Sequence, residues 1–487
     1  MAASPGQALP GPASSARRRT KIVATIGPAT RSIERMTELI RAGADVFRLN
    51  FSHGARDEHA ATVARAREAS QLAGREVGLL GDLPGPKLRL DEVEGGVVEL
   101  HTGSELTLTT GEEIGGTVHL PVSWEGLPEA VSEGDEVYLA DGRVRLRVLG
   151  AKGRDVRCTV EVGGPVASHQ GINLPGTEVP LPSAGHTDLH WVDFAAEQGI
   201  DLLAVSFVRR AEDLEPVERR VRAAGADIPL IAKIEKPQAA ENAEAIIRAA
   251  LSGIMVARGD LGIEMAIERV PVVQRQLLAL AGRHSKPSIT ATQMLASMVG
   301  SPRPTRAEVS DVAAAIYQGT DAVMLSEETA VGEYPVEAVR MMDRIAREAE
   351  PDLPYGDWLF NRVTTEASDV AGSVARAAVG STYTLGLAAV VVPTRSGRTA
   401  RLVSAHRPRV PVLAVSPRLE TVRRLRLLFG VSCALAEDWT SLRTLLDECA
   451  RLAKEEGVAQ SGELIGVTAG LPRQDLGTNM FEVHRVP

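Results

Sequence analysis

Eight short apolar runs between residues 21 and 326 each end at or beside a polar or charged side chain. They span 21–26, 46–49, 77–80, 202–205, 229–234, 254–257, 287–289 and 322–325. At or just past their ends stand Gly27 and Pro28; Arg48, Asn50 and Ser52; Asp82; Ser206; Lys233 and Glu235; Arg258 and Asp260; Thr290 and Thr292; and Ser326 and Glu328. Apolar runs this short read as buried strands, and helix-length amphipathic segments separate most of them. Eight strands alternating with helices is the count of an α/β (β/α)8 TIM barrel, which carries its chemistry at the C-terminal strand ends. The polar residues therefore point to one face of one fold.

The alternation breaks once, after the third run. Residues 88–180 hold β-type runs at 106–109, 137–139, 144–148 and 156–162, separated by turn residues that include Asp141-Gly142, a hairpin signal. This predicts a small β-barrel lid domain inserted in a loop of the catalytic face, where it can close over the site. The barrel is expected over 20–87 and 181–350, and a C-terminal α/β domain over 351–487. Strands at 388–392, 410–415, 432–436, 464–467 and 480–486 are expected there, with helices at 397–405, 420–429 and 440–456. Residues 1–19 are rich in Ala, Ser, Pro and Gly and end in three arginines. They lack a signal-peptide core and predict a disordered tail.

A net charge of −9 argues against nucleic acid as the main partner. No apolar run reaches the ~18 residues of a membrane span. Cys158, Cys433 and Cys449 are too scattered for a disulfide or metal framework and read as buried thiols in a reducing cytoplasm.

Lys233 and Glu235 stand two apart on a strand and share a face. Alone they read better as a structural ion pair. With Asp260 at the next strand end, Glu235 supplies a pair of hard oxygen ligands that suits Mg2+ or Mn2+. Gly259 lets backbone approach a ligand, and free N–H groups where residues 259–261 turn into a helix suit a carboxylate or phosphate. Arg48 suits phosphate. Asn50, Ser52 and Asp82 can meet on a cation, although Asn50 and Ser52 also suit turn capping. His53 beside them can contact a nucleotide or be a plain loop histidine. Thr290 and Thr292 offer hydroxyls to substrate or to a helix cap. Glu328 can orient Ser326 or a proton-relay water, or cap the next segment. In the last domain Thr394-Arg395-Ser396-Gly397-Arg398-Thr399 joins a strand to a helix, as a phosphate cradle or a capped turn.

Seven segments in order then carry a resemblance: TKIVATIGPAT (20–30), RLNFSHG (48–54), AKIEKP (232–237), MVARGDLGIE (255–264), ATQML (291–295), PRPTRAEVSDVA (302–313) and MLSEETAVGEYP (324–335). Together they resemble pyruvate kinase, over essentially everything after residue 19. The resemblance implies phosphoryl transfer from phosphoenolpyruvate to ADP, the final step of glycolysis, in a cytoplasmic homotetramer. It implies Lys233 as the lysine that stabilises charge on the phosphoryl group and the enolate, and Glu235 and Asp260 as Mg2+ ligands. Thr292 falls near the reacting carbon, and Arg48 on phosphate. Asn50 and His53 fall near the nucleotide, and Ser326 and Glu328 near the proton relay. Thr394–Thr399 resembles the phosphorylated-effector loop, with 470–479 as its closing loop.

Two departures stand out. Gln170 occupies a lid position where the family often has lysine. Where the K+-dependent members carry Asp-Thr-Lys-Gly-Pro-Glu, this chain has Asp82-Leu-Pro-Gly-Pro-Lys87, and Leu90 stands where a second threonine is usual. The ammonium of Lys87 can replace K+, with Asn50, Ser52 and Asp82 still present, so K+ is expected not to be required. A Mg2+-dependent lyase on the same barrel and a non-catalytic metabolite sensor are the competing readings. The first has no use for the lid and the last domain, the second none for intact Lys233, Glu235, Asp260 and Thr292.

Overall fold

The eight apolar runs form a closed parallel barrel: β1 Lys21–Thr25, β2 Val46–Asn50, β3 Gly78–Asp82, β4 Leu202–Val205, β5 Leu230–Ile234, β6 Gly253–Ala257, β7 Ser288–Ala291 and β8 Ala322–Leu325. Each strand pairs with its neighbours in chain order, and β1 closes on β8. This computed structural model describes residues 17–86, 88–111, 114–140, 142–177, 182–249, 253–364, 369–439, 441–470 and 477–487. Lys87, Asp141, residues 1–16 and most of the expected closing loop (471–476) lie outside the described residues.

Side chains alternate across each strand. Val23, Val46, Leu80, Ala204, Ile231, Met255, Ile289 and Met324 fill the barrel interior, while Ile22, Phe47, Leu79, Leu203, Ala232, Val256 and Val323 face the surrounding helices. The inward row continues two residues on from Val23, Val46, Leu80, Ala204 and Ile231 to Thr25, Arg48, Asp82, Ser206 and Lys233. The period of two thus places polar groups from five strands on the top layer.

The insertion between β3 and β4 is all β. The small β barrel expected there is a six-stranded and a two-stranded sheet around one apolar core that includes Leu90, Leu108, Val137, Leu146 and Val166. Strands Glu136–Leu139 and Val144–Lys152 pair as the predicted hairpin, with Ala140 at φ 56° and Gly142 at φ 84° in the turn.

The last domain carries β9 Ala389–Pro393, β10 Val412–Ser416, β11 Val431–Leu435, β12 Leu464–Ala469 and β13 Met480–Arg485 in the spatial order β11-β10-β9-β12-β13. Four strands are parallel, and β13 runs antiparallel to β12. This domain seals the N-terminal end of the barrel. Leu427 joins the interior layer. Arg407 pairs with Asp321 before β8 at 2.7 Å, Arg423 with Glu76 before β3 at 2.8 Å and Arg424 with Asp227 before β5 at 3.1 Å.

The tail expected to run to residue 19 is packed at its last three positions. Arg17 bonds the carbonyl of Glu456. Arg18 is buried between Asp45 at 2.9 Å and Asp343 at 2.8 Å. The Arg19 amide donates to both carboxylate oxygens of Glu350, and its guanidinium lies 5.4 Å from the centre of the Tyr355 ring. Composition signals disorder, but these partners lie far off in sequence. Among the described residues no helix is long and apolar enough to cross a membrane. All three cysteines are free and buried.

Candidate active site

Lys233 is the centre of the top layer. Its ammonium lies 2.7 Å from Glu235 Oε1 and 3.1 Å from Asp82 Oδ1, and donates to Ser206 Oγ at 2.7 Å. Asp82 also accepts from Arg48 Nε at 2.7 Å, and Arg48 reaches the Thr25 hydroxyl at 3.2 Å. Five strand ends thereby share one polar chain. Burial disfavours every charge in it. The carboxylates of Asp82, Glu235 and Asp260 nonetheless outweigh burial at Lys233 and raise its pKa, so the ammonium keeps its proton. Burial alone would raise Asp82, but Lys233 and Arg48 hold it below its ordinary range. Glu235 moves the other way: burial pushes it up, and the charge of Asp260 adds to this against Lys233.

That opposition between Glu235 and Asp260 is what a bound divalent cation relieves. Among the described residues no three His, Cys, Asp or Glu side chains gather as a metal cluster. An ion here would take two protein carboxylates and complete its shell from substrate and water, a donor set that fits Mg2+.

Asp260 and Gly259 sit in the first turn of the helix Arg258–Glu264. Arg258 is locked to the carbonyl of Thr292 and to Asp311, both at 2.7 Å. The Gly259 amide donates to the Thr292 hydroxyl at 2.7 Å, which itself donates to the Ala291 carbonyl at 2.6 Å. Thr292 and Gln293 hold φ of 68° and 53°, a left-handed backbone that costs energy in a β-branched residue and clusters at functional sites. Thr290 is buried and bonds Thr320 instead. Glu328 is also buried, and its two oxygens accept from the amides of Ser326 at 2.7 Å and Leu295 at 3.0 Å. It braces the β7 and β8 loops through backbone and is not bonded to the Ser326 hydroxyl.

At the β2 end, Asn50 Oδ1 accepts from the Ser52 amide at 3.2 Å, the turn-capping geometry. Phe51 stacks on Trp191 at 4.5 Å, and the His53 carbonyl bonds His59 Nε2 at 2.7 Å. Phe51 anchors the loop through Trp191, leaving Asn50 partly exposed at the end of β2 and His53 exposed. Leu83 is buried and its carbonyl accepts from Ser206 at 2.7 Å. Gln170 spends its side-chain oxygen on the Ala167 amide inside the lid at 2.8 Å.

Sequence reasoning missed Thr25, which the inward register of β1 marks, and the seat of the lid. Lys236 turns to Glu264 at 2.5 Å, and Glu264 also accepts from lid residue Asn173 at 3.2 Å. These contacts tie the insertion to the helix that carries Asp260.

In the last domain, Thr394 Oγ1 accepts from the Gly397 amide at 2.9 Å. Gly397 has φ 82°, and a Cβ there would come 2.9 Å from Leu425, so the turn needs glycine. The helix Arg398–Ala405 opens without a side-chain cap. Arg395, Ser396 and Arg398 are exposed, with Arg395 2.6 Å from Asp438 and Arg398 4.0 Å from Asp369. Thr399 pairs with the hydroxyl of Thr478.

The family model "Pyruvate kinase, barrel domain" matches residues 17–339, and "Pyruvate kinase, alpha/beta domain" matches 372–484. A pyruvate kinase of Geobacillus stearothermophilus is 41% identical over 472 residues, covering 96% of this chain and 80% of that protein. A pyruvate kinase of Thermococcus litoralis is 39% identical over 476 residues, covering 96% and 99%. A crystal structure of a pyruvate kinase from Cryptosporidium parvum superposes with a TM-score of 0.91 at 34% identity, covering 96% of both chains.

Proposed function

The chain belongs to the pyruvate kinase family of phosphotransferases, and we propose that its barrel mouth moves the phosphoryl group of phosphoenolpyruvate to ADP, giving pyruvate and ATP. The observation that carries this reading is the largely buried Lys233 side chain held within 3.1 Å of Asp82, Glu235 and Ser206, with Asp82 also bonded to Arg48. Phosphoryl transfer asks for positioning and charge stabilisation more than covalent help. Lys233 and Arg48 flank the moving phosphoryl group, and Lys233 also stabilises the enolate oxygen left behind. On binding, the Gly259 amide and the Thr292 hydroxyl exchange their bonds to each other and to the Ala291 carbonyl for the substrate carboxylate, which the Asp260 amide also meets. Asn50 and His53 face the nucleotide. Ser326 serves the proton relay to carbon, with Glu328 positioning it through its amide. The family generally uses Mg2+ or Mn2+. Glu235 and Asp260 would hold that ion, which when bound neutralises phosphate charge. The test is pyruvate formation from phosphoenolpyruvate that depends on ADP. Pyruvate formed without ADP would favour a lyase, and no turnover a sensor.

The same reading extends to monovalent cations. Lys87 supplies the positive charge that K+ brings elsewhere, and K+ is not required. Turnover is expected to be nearly equal in potassium, sodium and tetramethylammonium salts at fixed ionic strength. Lys87→Glu is expected to lose activity without K+ and regain part of it with K+. Strong K+ activation of the wild type would sink this.

The Thr394–Thr399 turn binds a phosphorylated effector in a cytoplasmic homotetramer. Coupling on the order of 1–3 kcal/mol, roughly a 5–150-fold shift in phosphoenolpyruvate half-saturation, is the usual range. A panel of sugar phosphates and AMP is expected to yield one such shift, weakened by Arg398→Ala, with light scattering reporting a tetramer. A saturation curve that no phosphorylated metabolite moves leaves the turn structural.

A further inference from the structure

The loop that follows β2 rests on one histidine. His59 is partly buried near the start of the helix Arg56–Ala73. Its ring meets Phe51 edge to face at 5.1 Å and Trp191 at 5.3 Å, with Phe194 at 6.4 Å. Trp191 and Phe194 belong to the helix His186–Glu197, the first after the lid. Nε2 of this wedged ring lies 2.7 Å from the His53 carbonyl. A carbonyl brings no proton, so Nε2 is the donor and the tautomer is fixed. Burial holds the His59 pKa below its ordinary value, against the pull of the His53 carbonyl and Glu58, so the ring is uncharged at neutral pH.

The same helix start holds the rest of the loop. Glu58 Oε2 accepts from the Ala55 amide at 3.2 Å. Gly54 has φ 85°, and a Cβ there would come 3.0 Å from Glu58 Oε2 and 3.3 Å from His59 Nε2, so the chain passes close over both side chains. On the barrel side the His53 amide donates to the Asn50 carbonyl at 3.3 Å, and the Ser52 amide to Asn50 Oδ1 at 3.2 Å. His53 therefore has its amide fixed from β2 and its carbonyl fixed by His59.

Packing alone does not ask for this bond. A phenylalanine would fill the same aromatic wedge, and His53 is exposed, so water would satisfy its carbonyl equally well. What the imidazole adds is a direction for the peptide that follows His53. We propose that His59 is a positioning residue for the nucleoside diphosphate: it fixes the backbone at His53 and so sets where the β2 loop presents the His53 side chain. The inference rests on the reading that this loop faces the nucleotide. His59 acts through the loop and not on the substrate, so its loss weakens nucleotide binding and leaves the phosphoryl-transfer machinery at Lys233 in place.

Two variants separate the donor from the ring. His59→Phe keeps the wedge and removes the donor, whereas His59→Gln keeps an N–H donor at similar reach and gives up the ring. His59→Phe is expected to raise the KM for ADP roughly 3–10-fold, the worth of one ordinary hydrogen bond, with kcat and the KM for phosphoenolpyruvate unchanged. His59→Gln is expected to bring the KM for ADP back toward wild type while lowering the unfolding midpoint, because the aromatic contacts are lost. A histidine kept only for packing gives the reverse order, with phenylalanine harmless and glutamine harmful. That order, or a rise in both KM values alike, overturns the proposal. If His59→Phe does not fold, His59→Gln against His59→Met, alike in length and differing in the donor, decides in the same way. Pyruvate formed by the wild type without ADP overturns the reading of the site and this inference with it. ADP-dependent turnover with an unmoved KM for ADP in His59→Phe overturns this inference alone.

Discussion

Lys233→Met is expected to reduce turnover by at least the ~10²–10³-fold typical of removing one preorganised electrostatic donor, with the fold intact. Methionine keeps most of the apolar stem and removes the ammonium together with its hydrogen bond to Ser206. In the wild type that charge is fixed by three contacts, to Asp82, Glu235 and Ser206. The ammonium therefore needs no reorganisation when negative charge moves across the phosphoryl group and onto the enolate oxygen. Removing it also frees Asp82 and Glu235 to take up protons, because burial raises both and Lys233 is the largest influence opposing that rise. Two signatures follow. The loss should fall on kcat and on kcat/KM together, as for an interaction made in the transition state. The far-ultraviolet spectrum should stay close to wild type, while the unfolding midpoint falls because Asp82 and Glu235 lose a buried counter-charge. Retention of more than a tenth of wild-type turnover would refute the role, and a lost fold would make the more conservative Lys233→Arg the deciding variant.

The barrel and its chemistry were legible for one physical reason. A parallel barrel buries both faces of each strand, so its strands read as uninterrupted apolar runs, and an interruption marks the strand end. Lys233, Asp82 and Arg48 stand out because a charge at or just past the end of such a run has little other reason to be there. Interactions between distant residues were not legible. Nothing local distinguishes Asp321 from other acids or announces that Arg407, 86 positions away, will pair with it in the dry. Glu328 reads from sequence as orienting Ser326 or a proton-relay water or as capping the next segment, and it is backbone geometry at two loops that gives both its oxygens to amides. The arginines at 17–19 were misread because composition reports local chain entropy, whereas Asp45, Asp343 and Glu350 come from elsewhere in the fold. The charged layer at the foot of the barrel is the part of the molecule that only the fold assembles.

That layer carries the second large effect. Asp45→Asn is expected to destabilise the protein by about 3–5 kcal/mol, the usual cost of breaking a buried ion pair from one side. Asp45 is 1% exposed. It pairs with Arg18 at 2.9 Å, with Arg75, and with Lys21 at 4.0 Å, and it accepts from the Ile22 amide at 3.0 Å. Asparagine keeps the shape and can keep the amide bond, but it leaves the buried Arg18 and Lys21 and the half-buried Arg75 short of a counter-charge. Lys21 is already pressed to about 8, by burial first and by Arg18 and Arg75 against the pull of Asp45. The pH dependence fixes the cause. Burial alone would raise the Asp45 carboxyl, yet the three cations hold it well below its ordinary 3.8. A carboxyl depressed in the folded state stabilises above its unfolded pKa, and that stability drains away as pH falls through the interval down to the folded value. Urea midpoints of wild type and Asp45→Asn should therefore differ fully at neutral pH and still at mildly acidic pH, then converge as pH drops below about 4. A difference that stays constant into that acid range would mean the variant acts through packing rather than charge, and a negligible difference at neutral pH would mean the cluster contributes nothing to holding Arg18 and the foot of the barrel together.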